Sequence, residues 1–416
     1  MNLADNRRLR LVMLCAMYVA QGIPWGFTAI TLPAYLVDHG VTVDAVGVIM
    51  ATTTGPYAFK WVWGFVIDAF QSKRFGRRRP WIIGAELMMG LTILSMAFVG
   101  DLTSSTTLIA RTVFVHTIFN SMQDVAVDAL AVDLLEENER GRANGLMYAS
   151  KWGGGMLGGW GISHLIALAN LRVALFVQAI VLFAIMLIPL FVQERAVEAQ
   201  PRPDLARAIV RWSKENLRRD VVISALRDRA IWSAVLVALV MLISNAAAAL
   251  LAAVGNGLFV EQLHWSAEDY AGMIGGPGLA LGAVGSVIGG FVADRIGHRL
   301  MAGIAALCLT GYYVAFSQLS DHWTSTSFVY SVFWVEPFFL GMMTASLFAL
   351  CMDVTWKAIA ASQFAIYMAL SSLSATLAYA HAGDAVARYT YPGIYQLAAW
   401  IQLSLVVVLP FVRPKK

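Results

Sequence analysis

An all-α membrane protein of twelve spans in two related six-helix halves is what the sequence predicts, and three observations carry that reading. Hydrophobic residues make up 59% of the 416 residues and charged residues only 13%, where a soluble chain carries about 25% charge. Apolar stretches of about 20 residues, the length that crosses a bilayer core, recur along the chain. One short pattern also occurs twice, 226 residues apart: Gly64-x-x-x-Asp68 followed by Gly76, Arg77, Arg78 and Arg79, and Gly290-x-x-x-Asp294-Arg295-x-Gly297-x-Arg299. A repeat at half the chain length points to a doubled unit of roughly 200 residues, and the apolar flanks put both units in a membrane.

The spans are expected near 11–36, 45–67, 80–100, 106–133, 143–168, 172–192, 230–258, 270–293, 300–318, 326–351, 358–383 and 392–412. Backbone amides in hydrocarbon need internal partners, so the spans must be helices, and the alternating pattern of barrel strands is absent. Arg7, Arg8 and Arg10 precede the first apolar run, which is too long for a signal-peptide core and lacks a small-residue cleavage site. It reads as an uncleaved first span, broken by Gln21-Gly22 and by Pro24. The glycines at 153–155, 158 and 159 in the fifth span, and at 278, 282, 285 and 289 in the eighth, suit close helix approach. The turn Gly275-Gly276-Pro277-Gly278 suits a bend in the eighth span.

Of the 30 Lys and Arg residues, 25 fall in segments with an even number of spans before them, two fall on the opposite side and three lie within spans. That bias places both termini in the cytoplasm. The net charge of +4 is therefore a topology signal with lipid as its partner, and nucleic-acid binding is unsupported. The expected units are 1–193, a cytoplasmic linker at 194–229 and 230–416. The linker reads equally as an amphipathic helix on the inner face or a solvated connection. Cys15, Cys308 and Cys351 lie far apart inside apolar runs and form neither a disulfide set nor a metal site. No Gly-rich phosphate loop ending in Lys-Ser or Lys-Thr is present, so no nucleotide cofactor is expected and an ion or solute gradient must supply the energy.

Twelve spans, a long central loop and the doubled Gly-x-x-x-Asp pattern resemble the major facilitator superfamily. That resemblance implies a single-chain carrier of small molecules. It also implies a cytoplasmic latch in which Asp68 and Asp294 cap neighbouring helix ends and pair with arginine. Gly64, Gly76, Arg77, Arg78, Gly290, Arg295, Gly297 and Arg299 would complete the latch. A second resemblance lies in the run from Asn120 through Gln123, Asp124 and Asp128 to Asp133, in Gly55-Pro56-Tyr57 with Lys60-Trp61, and in the lengthened Arg-Arg-Arg-Pro loop. These are similar to AmpG-type permeases, a branch of muropeptide carriers, acetyl-CoA transporters and some siderophore importers. A muropeptide-like substrate is favoured, with a siderophore or an acyl-CoA as alternatives.

His116, Asn120, Asp124 and Asp128 recur every four residues and so form one slanting stripe on the fourth helix. Charged carboxylates facing lipid are costly, so the stripe must face protein or a water-filled cavity. Counting 1.5 Å per residue from Asp68, Asp133 and Arg142 puts Lys60, Asp124 and Lys151 at a common depth, roughly 12–14 Å from one membrane face. A cluster of these three is expected, with Asp128 nearer the exit. Either a carboxylate exchanges a proton while the lysines hold an anionic group, or the charges pair permanently and set helix packing. Glu336 is a second candidate proton carrier. Gln21, Asn245, Tyr57 and Trp61 are candidate contacts for substrate, with Trp25 and Tyr148 as further aromatic ones. Glu86 reads as packing, and His381 with Asp384 as a solvated edge. A membrane acyl-transfer enzyme using His116 beside Asp124 is the outside class. The two lie about 12 Å apart along a helix and cannot hydrogen-bond directly.

Overall fold

In the computed structural model of the chain, the described residues are 3, 6–39, 41, 49, 52–53, 55–57, 59–69, 72, 75–99, 106–194, 229–265, 273–356 and 360–412. Each expected span meets a helical segment there. In chain order these are α1 (7–38), α2 (Trp61–Ala69), α3 (Arg79–Met96), α4 (Thr106–Leu134), α5 (140–168), α6 (Leu171–Phe191), α7 (229–262), α8 (Ile274–Ile296), α9 (His298–Gln318), α10 (Thr326–Val354), α11 (Ala360–Arg388) and α12 (Tyr391–Phe411). Seven of the described stretches are long and apolar enough to cross a membrane by length and composition: those in α1, α6, α7, α8, α9, α10 and α12. The linker 195–228 lies outside the described residues, and with it the expected amphipathic helix; so do Lys73 and Arg74.

Local chemistry sets several helix ends. The side chains of Asn6 and Asn170 accept from the amides of Leu9 and Val173 and so start α1 and α6. Thr390 caps α12 just ahead of Pro392, which needs no donor in the first turn. The expected break at Pro24 does not occur. The helix runs through Pro24, the Thr28 hydroxyl donates to its carbonyl at 2.8 Å, and the irregularity is displaced into a π-turn at Phe27–Thr31. Similar π-turns lie at Leu157–Gly161 in α5, Gly257–Gln262 in α7 and Ile274–Gly278 at the start of α8, where the glycine-proline bend was expected.

Glycine decides how closely the helices cross. A Cβ at Gly158 would stand 1.9 Å from the Ile23 carbonyl oxygen, and one at Gly26 2.1 Å from that of Gly155, so α1 and α5 meet backbone to backbone. Between α8 and α10 the same holds for Gly285 against Phe338 and for Gly341 against Gly282. The two halves themselves meet along α5 and α8, where Gly290 faces the Gly141 carbonyl and Gly145 faces Ser286. The outer surface carries exposed Phe191, Trp160 and Trp400, as expected of an apolar belt in lipid. Replacing Gly158 by Val should force α1 and α5 apart and cost about 1–3 kcal/mol. Gly303→Ala, where nothing lies within 4 Å, should leave thermal unfolding in detergent unchanged or slightly higher. Equal melting temperatures for the two variants would contradict this packing.

Candidate functional site: a charged cluster, a cavity and a closed face

The expected cluster forms. Asp124 on α4 is buried and sits between two cations, with Lys60 Nζ 2.9 Å from Oδ2 and Lys151 Nζ 3.4 Å from Oδ1. Lys60 arrives from the turn that starts α2, and Lys151 from α5. One turn further along α4, Asp128 accepts a 2.5 Å hydrogen bond from the hydroxyl of Tyr18 on α1. The lysines also lie 5.7 Å from aromatic ring centres, Lys60 over Tyr57 and Lys151 over Tyr18. Two lysines face two carboxylates, Asp124 directly and Asp128 one turn away, so the charges of the site match within the protein, as hydrocarbon requires.

The stripe on α4 does not face one direction. Residues four apart turn by about 40° per step, so His116 and Asp128 point about 120° apart around the helix axis. His116 accordingly turns to α3, where its Nδ1 lies 2.8 Å from the Thr92 hydroxyl, while Asn120 accepts from the Tyr57 hydroxyl at 3.0 Å. Gln21, expected to contact substrate, lies instead inside the first bundle, as does Gln123. Gln21 donates to Gln123 at 2.7 Å, and Gln123 donates to Glu86 at 2.7 Å, all three buried between α1, α3 and α4. Glu86 is thus a packing residue with a polar partner. Trp61 is also not a cavity residue. It is 41% exposed on the outer face of α2, edge-on to Phe65 one turn away.

A cavity of about 500 Å³ lies between the halves, from mid-depth toward the face opposite the termini. Trp25 and Trp152 contribute from the first half, edge to face at 6.5 Å. The second half contributes Asn245, Glu336, Phe259, Phe333, Tyr379 and Tyr395 among others. Asn245 donates to the Ser371 hydroxyl at 2.7 Å, and Glu336 accepts from the Tyr313 hydroxyl at 2.8 Å. Lys60, Asp124, Asp128 and Lys151 are not among its lining residues. Trp152, Tyr379 and Tyr395 were not singled out in the sequence. Nothing separates them there from the many other aromatics of a membrane chain.

The face that carries the termini is closed by bonds between the halves. Asp68, at the end of α2, accepts from the backbone amide and hydroxyl of Ser362 in the first turn of α11, at 2.9 and 2.8 Å. Asp294, at the end of α8, accepts from the amides of Gly141 and Arg142 at 2.7 and 3.0 Å and from Arg142 Nε at 2.7 Å. Each carboxylate therefore caps the N-terminus of a helix in the other half, where unpaired amides and the helix dipole favour negative charge. Arg140 of α5 adds a 2.8 Å bond to Asp353 at the end of α10.

Behind these bonds each half has a bridging cation. Buried Arg78 joins Asp68 (2.8 Å) to Asp133 at the end of α4 (2.9 Å), while Arg77 pairs with Asp68 at 2.9 Å. His298 joins Asp294 (3.3 Å) to Asp353 (2.6 Å) in the second half. Gly76 and Gly297 precede these cations with φ of +93° and +97°, which only glycine adopts readily. The Glu194 carboxylate accepts from the amides of Arg78 and Arg79, and burial raises its pKa against those two bonds. Gly64 is buried in α2 and Gly290 forms the α5–α8 contact. Arg299 donates to the carbonyls of Pro410 and Val412, tying α9 to the end of α12. Arg295 is exposed and joins no ion pair among the described residues, so it takes no part in the closed face as seen. The pairing of Asp133 with Asp353, 220 residues apart at equivalent helix ends, was a signal available in the sequence.

A twelve-helix fold with a cavity between two halves and one face closed defines a membrane transporter. Residues 14–379 match the family description of the Major Facilitator Superfamily, and the chain belongs to that family. Among its relatives, AmpG 4 of Rickettsia conorii is 23% identical, over 98% of this chain and 97% of that protein. The anhydromuropeptide permease of Escherichia coli K12 is 24% identical, over 88% of this chain and 72% of that one. The solved proton:xylose symporter XylE, bound to 6-bromo-6-deoxy-D-glucose, superposes with a TM-score of 0.71 at 12% identity, covering 98% of this chain and 96% of its own. FucP in the outward conformation gives 0.70 at 11% identity, covering 98% and 99%. Both likenesses show the fold alone.

Lys60→Met should leave Asp124 with only the longer Lys151 contact and cost about 1.5–3 kcal/mol, the worth of a hydrogen bond to a charged group. Adding Asp124→Asn should recover none of that loss, because it leaves Lys151 without its carboxylate, as read by thermal unfolding in detergent. A single variant as stable as the parent would show that the pair is not matched in this way.

Proposed function

We propose that this protein is a secondary active transporter that imports a polar metabolite together with protons, with a muropeptide-like solute as the favoured substrate. The observation that carries this reading is the cavity walled by both halves above a face held shut by bonds between them. Rocking the halves would break those bonds and expose the same space to the other side. The relatives named AmpG 4 and anhydromuropeptide permease support the substrate class. Aromatic faces at Trp25, Trp152 and Tyr379 suit sugar rings, and Asn245 and Glu336 supply polar contacts. With the termini in the cytoplasm, as the Lys and Arg bias expects, the cavity opens to the periplasmic side of the inner membrane, and the chain works as a monomer.

For proton coupling, Asp124 is the poorer candidate because neutralising it breaks two ion pairs. Asp128 and Glu336 are each held by a single tyrosine hydroxyl, so either can gain and lose a proton without stranding a lysine. Proteoliposomes should accumulate a radiolabelled anhydro-sugar peptide when the interior is alkaline. Glu336→Gln or Asp128→Asn should remove the dependence on the pH gradient while downhill exchange persists. Uptake indifferent to the gradient in the parent protein would contradict proton coupling, and conversion of the solute without accumulation would favour an enzyme.

A further inference from the structure

The cavity between the halves has a one-sided chemistry. Among the described residues its lining holds one charged side chain, Glu336, and no lysine, arginine or histidine. Lys151 is the chain neighbour of the lining Trp152, but its ammonium turns to Asp124 and the Tyr18 ring. One oxygen of the partly exposed Glu336 accepts from the Tyr313 hydroxyl at 2.8 Å, and the other has no partner among the described residues. Asn245 directs its amide nitrogen to Ser371, 2.7 Å from the hydroxyl and 3.5 Å from the carbonyl, which leaves its side-chain oxygen as a second acceptor. Much of the remaining wall is ring surface, including Trp25, Trp152, Phe333 and Tyr379.

An ionised carboxylate inside a membrane is costly without a counter-charge, and the described residues supply none to Glu336. We propose that the transported solute supplies it: the substrate carries a protonated amine, bound by Glu336 and Asn245 inside an aromatic wall. Both of these residues offer acceptors, and an ammonium brings three donors and no acceptor. Ring faces attract a cation as well, and more strongly where water is excluded. A phosphate or carboxylate on the solute finds the opposite, with no cation to receive it and Glu336 to repel it. The cavity of about 500 Å³ falls in the range that takes a drug-sized ligand, so a sugar ring and an amine fit together. A solute without the amine leaves a buried acceptor unpaired, which discriminates more strongly than a missing apolar contact. On this assignment Glu336 pairs with the solute, and the proton of the coupled cycle falls to Asp128.

The inference rests on the transporter reading above but takes its own test. Ala248→Cys, at a position that lines the cavity, is introduced with the three native cysteines replaced by alanine, and its maleimide labelling in detergent is followed as solutes are added. Two pairs of probes are compared: glucosamine with N-acetylglucosamine, and an anhydro-sugar tripeptide bearing a free side-chain amine with its N-acetylated form. In each pair the amine should protect the cysteine at a concentration at least about tenfold lower, as expected for a hydrogen bond to a charged group. Glu336→Gln should erase that ratio, and Glu336→Asp should keep part of it. If neither peptide protects while glucosamine still outcompetes its acetylated form, the muropeptide reading falls and the amine assignment stands. If the two peptides protect equally, the substrate class stands and the amine assignment falls. Absence of protection by either amine, or a ratio that survives in Glu336→Gln, would also overturn the proposal.

Discussion

An ionised group inside a bilayer must find its counter-charge within the protein, and the rest of this structure depends on that constraint. It makes every span a helix and makes most of the outward-facing surface apolar. It also sets the positions of the charges that remain. Asp124 tolerates its depth because Lys60 and Lys151 approach it from two other helices, and it thereby fixes how α2, α4 and α5 sit together. Arg78 is fully buried because two carboxylates at helix ends receive it. Such matched groups contribute little net stability compared with apolar packing, yet they strongly penalise any arrangement that separates them.

The contacts between the halves have a different character. They are built from helix N-termini capped by carboxylates and from glycine crossings where backbones touch, as at Gly141 against Gly290. Both kinds of contact separate without stranding a charge in hydrocarbon, since the capping groups lie at the membrane edge, where water can replace them. The Lys60–Asp124–Lys151 contacts lie deep inside one half, while the bonds between halves cluster at helix ends on one face.

Much of the fold was legible in the sequence because the length of the apolar runs follows directly from the membrane's own thickness. The depth argument that grouped Lys60, Asp124 and Lys151 succeeded because helical rise converts sequence distance into membrane depth. Rotation about the helix was harder to follow. The drift of an every-fourth-residue stripe sends His116 toward α3 and Asp128 toward α1, and Trp61 falls on the outer face although it is a neighbour of Lys60. Cross-chain partners such as Ser362 for Asp68 and Arg140 for Asp353 carry no local signal at all, because they are set by how the two halves meet. His298 lay inside the repeated pattern as an unassigned position, and only its place between Asp294 and Asp353 gives it meaning.

The central claim is that the cavity communicates with one membrane face while bonds between the halves shut the other. A single cysteine at Ala248, which lines the cavity, would test it in sealed membranes of known orientation, with the native cysteines removed and an impermeant maleimide supplied from each side in turn. The account predicts fast labelling from the face opposite the termini and slow labelling from the terminal face, with Asp294→Asn raising the latter. Labelling that is faster from the terminal face in the unaltered latch would contradict it.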